Sequence, residues 1–548
     1  MRRRLILNVI AFIVILYALY FVINMCTACF LNMDIPNEYR ECANVDLTKC
    51  FIKGINPYSA KVLEQDLPTT VYQYGPLFSL LVAAVHFALP FVSLIPLHYF
   101  MALICVLVAG VMAFIMVREK TETLLPASCA FLFIIACTWR YGYVNIVPDT
   151  LGVTLLVLIF FMETRKNLPY REVFQAVTAV ALFYTKQYFV IVAVSLFIYL
   201  FITDRARWLR LTFTGILLMA LSVIVIQITC PLFFTYSLLI VHGVSGQSVS
   251  DSLFALCSLR AQAVLATGGA QPVSTGYAYE VLQLKSLAGI FIFLFIGMAL
   301  GVVMAFIKRR PSFESSRLLV IHSFVAMAAL IYLGQNDGAW LSYYLQLLMP
   351  SVVIYTLIAL EGFVTDEEAD KWFSNGIMCL LIVISMFTTY RITQRLPIYS
   401  LSSDARTVWD KAYAYCDAGA QIGEVLYIAP LGYNALANDR YLYDNGHEMA
   451  ITERFLEEYG SSEVYQKLFP YGDDVMEKSL SYRKDAAKKV ADKGFALVAT
   501  IPGVEEVVST DTLQRGGYTR IDTLTLDMGR TSYDIEFWVP EGSGINVE

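Results

Sequence analysis

Long apolar runs separated by short basic breaks fill the first 395 residues of the chain, and a polar, irregular pattern takes over from about residue 400. A bilayer core of about 30 Å takes roughly 20 apolar residues per helix. Runs of that kind fall near 5–31, 97–117, 124–139, 150–163, 172–186, 188–203, 209–229, 286–307, 316–334, 341–360 and 374–390. They predict a polytopic α-helical membrane protein with about 11 transmembrane helices. The breaks carry Arg118 and Lys120, Arg165 and Lys166, Arg205, Arg207 and Arg210, and Lys308 to Arg310, and Arg2, Arg3 and Arg4 precede the first run. Basic loops collect on the cytoplasmic side, so the N-terminus is expected there. All five clusters share that side only if the stretch from Pro76 to about Pro96 does not cross fully. We read it as an interfacial or re-entrant helix broken by Pro90 and Pro96. The segments 32–96, 140–149, 230–285 and 335–340, with everything after about 391, then face outward.

The tail has a different rhythm. Gly423 to Pro430 and Phe495 to Ile501 read as buried strands, and Met476 to Lys493 as a helix. Tyr518 to Met528 and Ser532 to Val539 alternate around Gly529-Arg530 as a hairpin. The expected organisation is a membrane module over 1–395 that includes the outer loop 32–96, followed by an extracytoplasmic α/β domain over 400–548.

Composition agrees: 57% of residues are hydrophobic and 16% charged, with a mean hydropathy of +0.59. A formal charge of −6 gives no support to a nucleic-acid partner, which requires a basic patch. The apolar run after Arg4 is longer than the core of a signal peptide and bulky throughout, so it reads as a retained anchor. Several cysteines sit in apolar runs as small hydrophobes, while Cys230 and Cys257 share one outer loop and could pair. His242 and His447 lack ligand spacing, and no metal site is assigned.

Candidate chemistry concentrates in the outward segments. Pro36 and Asn37 open a helix that Gly54 closes. On it Ala43, Leu47, Cys50 and Phe51 form an apolar stripe, with Glu38, Glu41, Cys42 and Lys49 opposite. The pattern suits a helix lying in the membrane surface with its carboxylates turned from lipid. Glu38 at the helix start is favoured as a carboxylate, the state a general base needs; the plain alternative is that it only satisfies the helix end. Lys186 and Gln187 interrupt the 172–203 apolar stretch at an outer turn. They can hold a phosphate by charge-assisted hydrogen bonds, or Lys186 can simply snorkel from a helix end. Arg140 and Asp149 bracket another outer loop. Arg140 can join Lys186, and Asp149 can orient a sugar hydroxyl or a cation, or cap the following helix. Tyr343 and Tyr344 fit an aromatic belt, with sugar stacking as the other reading.

An acidic residue opening an amphipathic helix after the first span, then Gly54-Ile55-Asn56-Pro57-Tyr58, then Tyr72 to Leu77 (YQYGPL), resembles the polyprenyl-phosphate-sugar-dependent glycosyltransferases of the membrane-embedded GT-C fold. That superfamily includes aminoarabinose transferases and protein O-mannosyltransferases. The similarity continues at Val147-Pro148-Asp149, Thr185-Lys186-Gln187 and Gly338 to Pro350. It implies that Glu38 is the acidic catalytic residue of the first outer loop. It also implies that Lys186, Arg140 and Gln187 bind the donor phosphate, with Asp149, Tyr74 and Tyr343 in the substrate site. The lipid A enzymes carry a lysine where this chain has Tyr74, so Lys186 is the expected substitute. The implied reaction is an inverting transfer from a polyprenyl-phosphate sugar to a hydroxyl of an envelope lipid, glycan or protein, with a divalent cation as an optional cofactor.

The rival from another class is a transporter or flippase for a lipid-linked or small polar substrate, which would show internal repeats and interrupted helices near the midplane. A scaffold that only anchors the outer domain is a further rival, but it needs far fewer spans and gives Lys186 no role.

Overall fold

The structure is a computed structural model. It describes residues 2–31, 33–36, 41–64, 72, 74–121, 123–142, 148–239, 298–299, 302–303, 316–333, 344–362, 376, 402–440, 442, 471–502, 507–527 and 532–545. Contacts divide the chain into two compact units, one of residues 1–26, 100–222 and 244–393, the other of 27–99, 223–243 and 394–548. The loop after the first helix is thus built into the same unit as the tail.

Helix α1 (Arg2–Leu31) contains a span over Leu5–Asn24, and α4 (Leu94–Arg118) and α9 (Arg205–Thr229) are also long and apolar enough to cross a membrane. Their outward side chains stay apolar: Phe12, Tyr20 and Ile23 on α1, and Phe213, Ile216 and Ile228 on α9, are exposed. Continuous apolar surface of this kind is suited to lipid and not to water.

The stretch after Pro76 forms α3 (Leu77–Ala88), 12 residues long. At 1.5 Å per residue it reaches about 18 Å, well short of a bilayer core. Pro90 follows its end as expected. Pro96 does not break a helix: it lies in the first turn of α4, where a missing N–H leaves no intrahelical bond unmade. The first unit continues with α5 (Leu124–Gly142), α6 (Asp149–Thr164), α7 (Arg171–Phe183) and α8 (Ile191–Thr203). A 3-10 turn over Gln187–Val190 leads into α8, so the 172–203 stretch is interrupted at Lys186 as its polarity suggests. Helices α10 (Arg317–Leu333) and α11 (Met349–Gly362) complete this part, with a π-helical segment Tyr344–Leu348 entering α11. The runs near 286–307 and 374–390 lie outside the described residues, apart from isolated positions.

In the second unit, α2 (Glu41–Ile52) packs on α3. The tail contributes α12 (Ser403–Ile422), whose Ser402 hydroxyl caps the helix by accepting from the Ala405 N–H at 3.1 Å. Strand β1 (Glu424–Leu426) follows, then α13 (Gly432–Ala437), α14 (Gly472–Ala491) and β2 (Phe495–Thr500). After α15 (Thr510–Arg515) come β3 (Tyr518–Asp527) and β4 (Ser532–Pro540). The sheet order is β1-β2-β4-β3, with β1 and β2 parallel and the other pairs antiparallel. The hairpin closes at Asp527 against Ser532, although Gly529 and Arg530 lie outside the described residues. The first strand is shorter than its apolar run. Pro430 has no N–H for a ladder, and the chain turns through Ala429–Leu431 into α13. Helix α12 lies across the sheet, close enough that a Cβ on Gly419 would meet the Leu497 Cβ at 2.7 Å.

Candidate functional site

Asp149 is the first residue of α6, preceded by Pro148, whose fixed φ suits a helix start. The Asp149 carboxylate turns to Lys186, whose Nζ donates to Oδ1 at 3.0 Å and Oδ2 at 2.9 Å. Lys186 is 6% exposed and Asp149 4%. The lysine therefore turns inward and does not snorkel, and the aspartate side chain spends its hydrogen bonds on Lys186 and Tyr188. A buried charge costs several kcal/mol unless it is paired and hydrogen-bonded, and here each ion is the other's compensation. The Tyr188 hydroxyl adds a third contact, 2.8 Å from Asp149 Oδ1. The Lys186 ammonium also lies 5.1 Å from the centre of the Tyr188 ring.

Two local features bring this pair together. Helix α7 ends at Phe183, and Lys186 has extended backbone before the 3-10 turn, which swings its side chain out of the helical register. One turn into α6, Gly152 has no Cβ, and a methyl there would overlap the buried ring of Phe189. The glycine lets the turn that bears Tyr188 close onto α6.

Gln346, on the π-helical segment Tyr344–Leu348, completes the cluster: its Oε1 lies 3.1 Å from the Tyr188 hydroxyl. The sequence reading quoted the stretch around Gln346 without singling it out, although a lone amide in an apolar run is itself a functional signal. Gln187 follows Lys186 and is half-buried. Arg140 lies in the last turn of α5, which packs against α6 and the π-helical segment, but its side chain lies outside the described part. Glu38, Tyr343, His242, His447 and Cys257 lie outside the described residues altogether.

In the second unit the chain on either side of Glu38 is pinned to the tail. Before it, Arg406 grips Asp34 with two hydrogen bonds, at 2.8 and 2.5 Å, and the Tyr413 hydroxyl donates to the Asp34 carbonyl. After it, Glu41 is fully buried and accepts from the Tyr433 hydroxyl at 2.9 Å. Gly432 comes so near that a Cβ would sit 2.7 Å from that of Cys42. The α2 face opposite the apolar stripe is therefore covered by α13, not left open, while Ala43 and Leu47 of the stripe are buried as well. Burial raises the Tyr433 hydroxyl well above its usual range, with Glu41 adding to the effect.

The two tyrosine motifs also act as structure. The Tyr58 ring packs edge-on against Tyr72 and Phe233, its hydroxyl donates to the Tyr74 carbonyl at 3.2 Å, and Asn56 donates to the Thr229 carbonyl at 2.6 Å. Tyr74 thus holds this loop through its backbone, and its side chain is half-buried. The reading from sequence also missed Asp46, which accepts from the Tyr72 hydroxyl at 2.6 Å. Burial pushes its carboxyl up, against the opposing effects of Tyr72, Lys49 and Lys53. Cys230 lies 3.5 Å from the Asn56 amide. Among the described residues no three His, Cys, Asp or Glu side chains group as metal ligands.

No protein-family model matches this sequence, and no curated protein does. Solved structures do match. Over 97% of this chain and 99% of the other, it superposes on ArnT from Cupriavidus metallidurans bound to undecaprenyl phosphate, with a TM-score of 0.54 and 12% identity. The apo state of that protein matches with a TM-score of 0.53 and 13% identity over the same shares of the two chains. The apo oligosaccharyltransferase of Archaeoglobus fulgidus matches with a TM-score of 0.50 and 11% identity, over 88% of this chain and 69% of that one. The chain has the GT-C fold, the fold its sequence resembles.

Proposed function

We propose that this protein transfers a sugar from a polyprenyl-phosphate-linked donor to a hydroxyl of an envelope lipid, glycan or protein at the outer face of the membrane. The observation that carries the reading is the buried Lys186–Asp149–Tyr188 cluster, in a chain that matches, nearly end to end, a protein solved with undecaprenyl phosphate. A lipid phosphate that leaves with its full charge needs a cation held ready in a low-dielectric setting. A lysine fixed by an aspartate at a helix start supplies one.

In the proposed reaction Glu38 takes the proton from the acceptor hydroxyl, and the acceptor oxygen attacks the anomeric carbon. The bond from that carbon to the phosphate oxygen breaks, the configuration inverts, and polyprenyl phosphate departs with the electron pair. Lys186 and Arg140 stabilise its charge, with Gln187 as a further donor. Asp149 holds Lys186 in place, and Tyr74 and Tyr343 contact the substrate. No step is assigned to a divalent cation; repeating the assay with a chelator checks that assignment.

The test is to incubate purified protein with a polyprenyl-phosphate sugar and extracted envelope acceptors and to measure released polyprenyl phosphate. The wild type should release it, and Glu38→Ala should slow release by about 10²- to 10⁴-fold, the usual contribution of a general base. Movement of intact donor across vesicles without cleavage would instead mark a carrier.

A further inference from the structure

Gln346 is fully buried, with 0% exposure, and its Nε2 has no hydrogen-bond partner among the described residues. Its Oε1 faces the Tyr188 hydroxyl at 3.1 Å, and that hydroxyl also faces Asp149 Oδ1 at 2.8 Å. A phenol has one proton and cannot donate to both. The carboxylate has the stronger claim, because its contact is shorter and charge-assisted. The two ends of a glutamine amide have the same shape, so turning it over costs no packing and lets Nε2 donate to the phenol oxygen. The donors then converge on the carboxylate: Gln346 N–H donates to Tyr188, Tyr188 O–H donates to Asp149, and the Lys186 ammonium donates to Asp149 from the other side.

The backbone beneath Gln346 is held from α10. π-Helical segments are rare and frequent at functional sites. Here His322 of α10 lies with Nε2 2.8 Å from the Leu347 carbonyl. A carbonyl only accepts, so Nε2 carries the proton, and Nδ1 faces the Ser195 hydroxyl at 2.9 Å, which also lies 2.8 Å from the Ile191 carbonyl. This buried histidine secures the residue next to Gln346.

We infer that Gln346 is a positioning residue: its amide sets the direction of the Tyr188 hydroxyl, which fixes the Asp149 carboxylate and so aims Lys186 at the phosphate of a lipid-linked anion. The inference rests on the function proposed above and assigns Gln346 no contact with the reacting atoms. Its ligand class is a polyprenyl phosphate.

The test uses full-length protein in lipid nanodiscs and undecaprenyl phosphate as the probe, with dissociation constants measured at several pH values. Absence of binding by the wild type would overturn the proposed function itself. Given wild-type binding, Gln346→Met, which keeps length and removes the amide, should weaken it about tenfold. Gln346→Glu tests the hydrogen-bond direction. Ionised, the new carboxylate competes for the Tyr188 proton; protonated, its O–H replaces the amide N–H. Affinity relative to wild type should therefore recover as pH falls from about 9 to about 5.5, the range in which a buried glutamate protonates. The ionisable side chains of the described residues around this segment are Asp149, Lys186, Tyr188 and His322. Comparison with the wild type at each pH cancels their contribution and that of the phosphate. Wild-type affinity in Gln346→Met, or a Gln346→Glu affinity that stays with that of Gln346→Met at every pH, would overturn the inference.

Discussion

Helix α6 carries an ion-paired carboxylate at each end, buried at Asp149 and half-buried at Glu163, and the two are furnished differently. Glu163, next to its last residue, is held by the fork of Arg207, with hydrogen bonds of 2.8 and 2.7 Å to its two oxygens. Gln175 adds a bond at 3.1 Å, and the same arginine reaches Glu172 at 2.6 Å. A planar guanidinium clamped on two carboxylates has little freedom left. About 21 Å away by helical rise, Asp149 holds a single lysine, a compact ammonium on a flexible stem, backed by a phenol and an amide. The first arrangement locks α6, α7 and α9 together. The second keeps a cation that can share itself with an incoming anion. Burial of charge alone does not mark a working site; the kind of cation and the hydrogen bonds behind it do.

Four substitutions sharpen that contrast. Arg207→Met takes the short ion pairs from Glu163 and Glu172, leaving them only the longer contacts of Arg171 and Arg210, and should cost about 3 kcal/mol of stability, read by chemical unfolding, while donor turnover per folded molecule stays unchanged. Gly152→Ala forces the Phe189 ring aside and should cost about 1–3 kcal/mol, with turnover falling because Lys186 and Asp149 are pushed apart. Tyr188→Phe removes one hydrogen bond to a buried carboxylate. It should raise the donor KM about tenfold, matching roughly 1.4 kcal/mol, with kcat less affected. The smallest effect belongs to the second unit, where Lys49 and Lys53 hold the exposed Asp439 at 2.6 and 2.7 Å and lower its carboxyl to about 2, the Lys49 hydrogen bond first. A depressed carboxylate contributes stability that is complete above its unfolded value near 4 and is lost as pH falls toward 2. Asp439→Asn should cost less than about 1 kcal/mol at neutral pH and flatten that acid dependence.

Much of this was legible one residue at a time. Pro90 announced the end of α3, the polarity of Lys186 announced the break between α7 and α8, and the alternation after Tyr518 announced the hairpin. Asp149 and Lys186 were each singled out, but as separate candidates, because helical periodicity reports which face a residue takes and not which distant residue meets it. The same limit hid the contact of Glu41 with Tyr433, which are 392 positions apart. The helical wheel left that face of α2 polar, and only the packing of α13 shows why a carboxylate is tolerated there. Gln346 was masked by neighbouring tyrosines that satisfied the expectation of an aromatic belt.

The most direct test compares both ends of α6 with the hydrogen-bonded ion partners neutralised together, so that each short ion pair is removed whole. Replacing a buried ion pair by neutral groups of similar volume is often harmless to stability. Asp149→Asn with Lys186→Met should therefore fold and yet release polyprenyl phosphate from the sugar donor at least about 100-fold more slowly than wild type. Glu163→Gln with Glu172→Gln and Arg207→Met should fold and release it at the wild-type rate. Equal turnover in the two variants, or loss at the Glu163 end alone, would contradict the account.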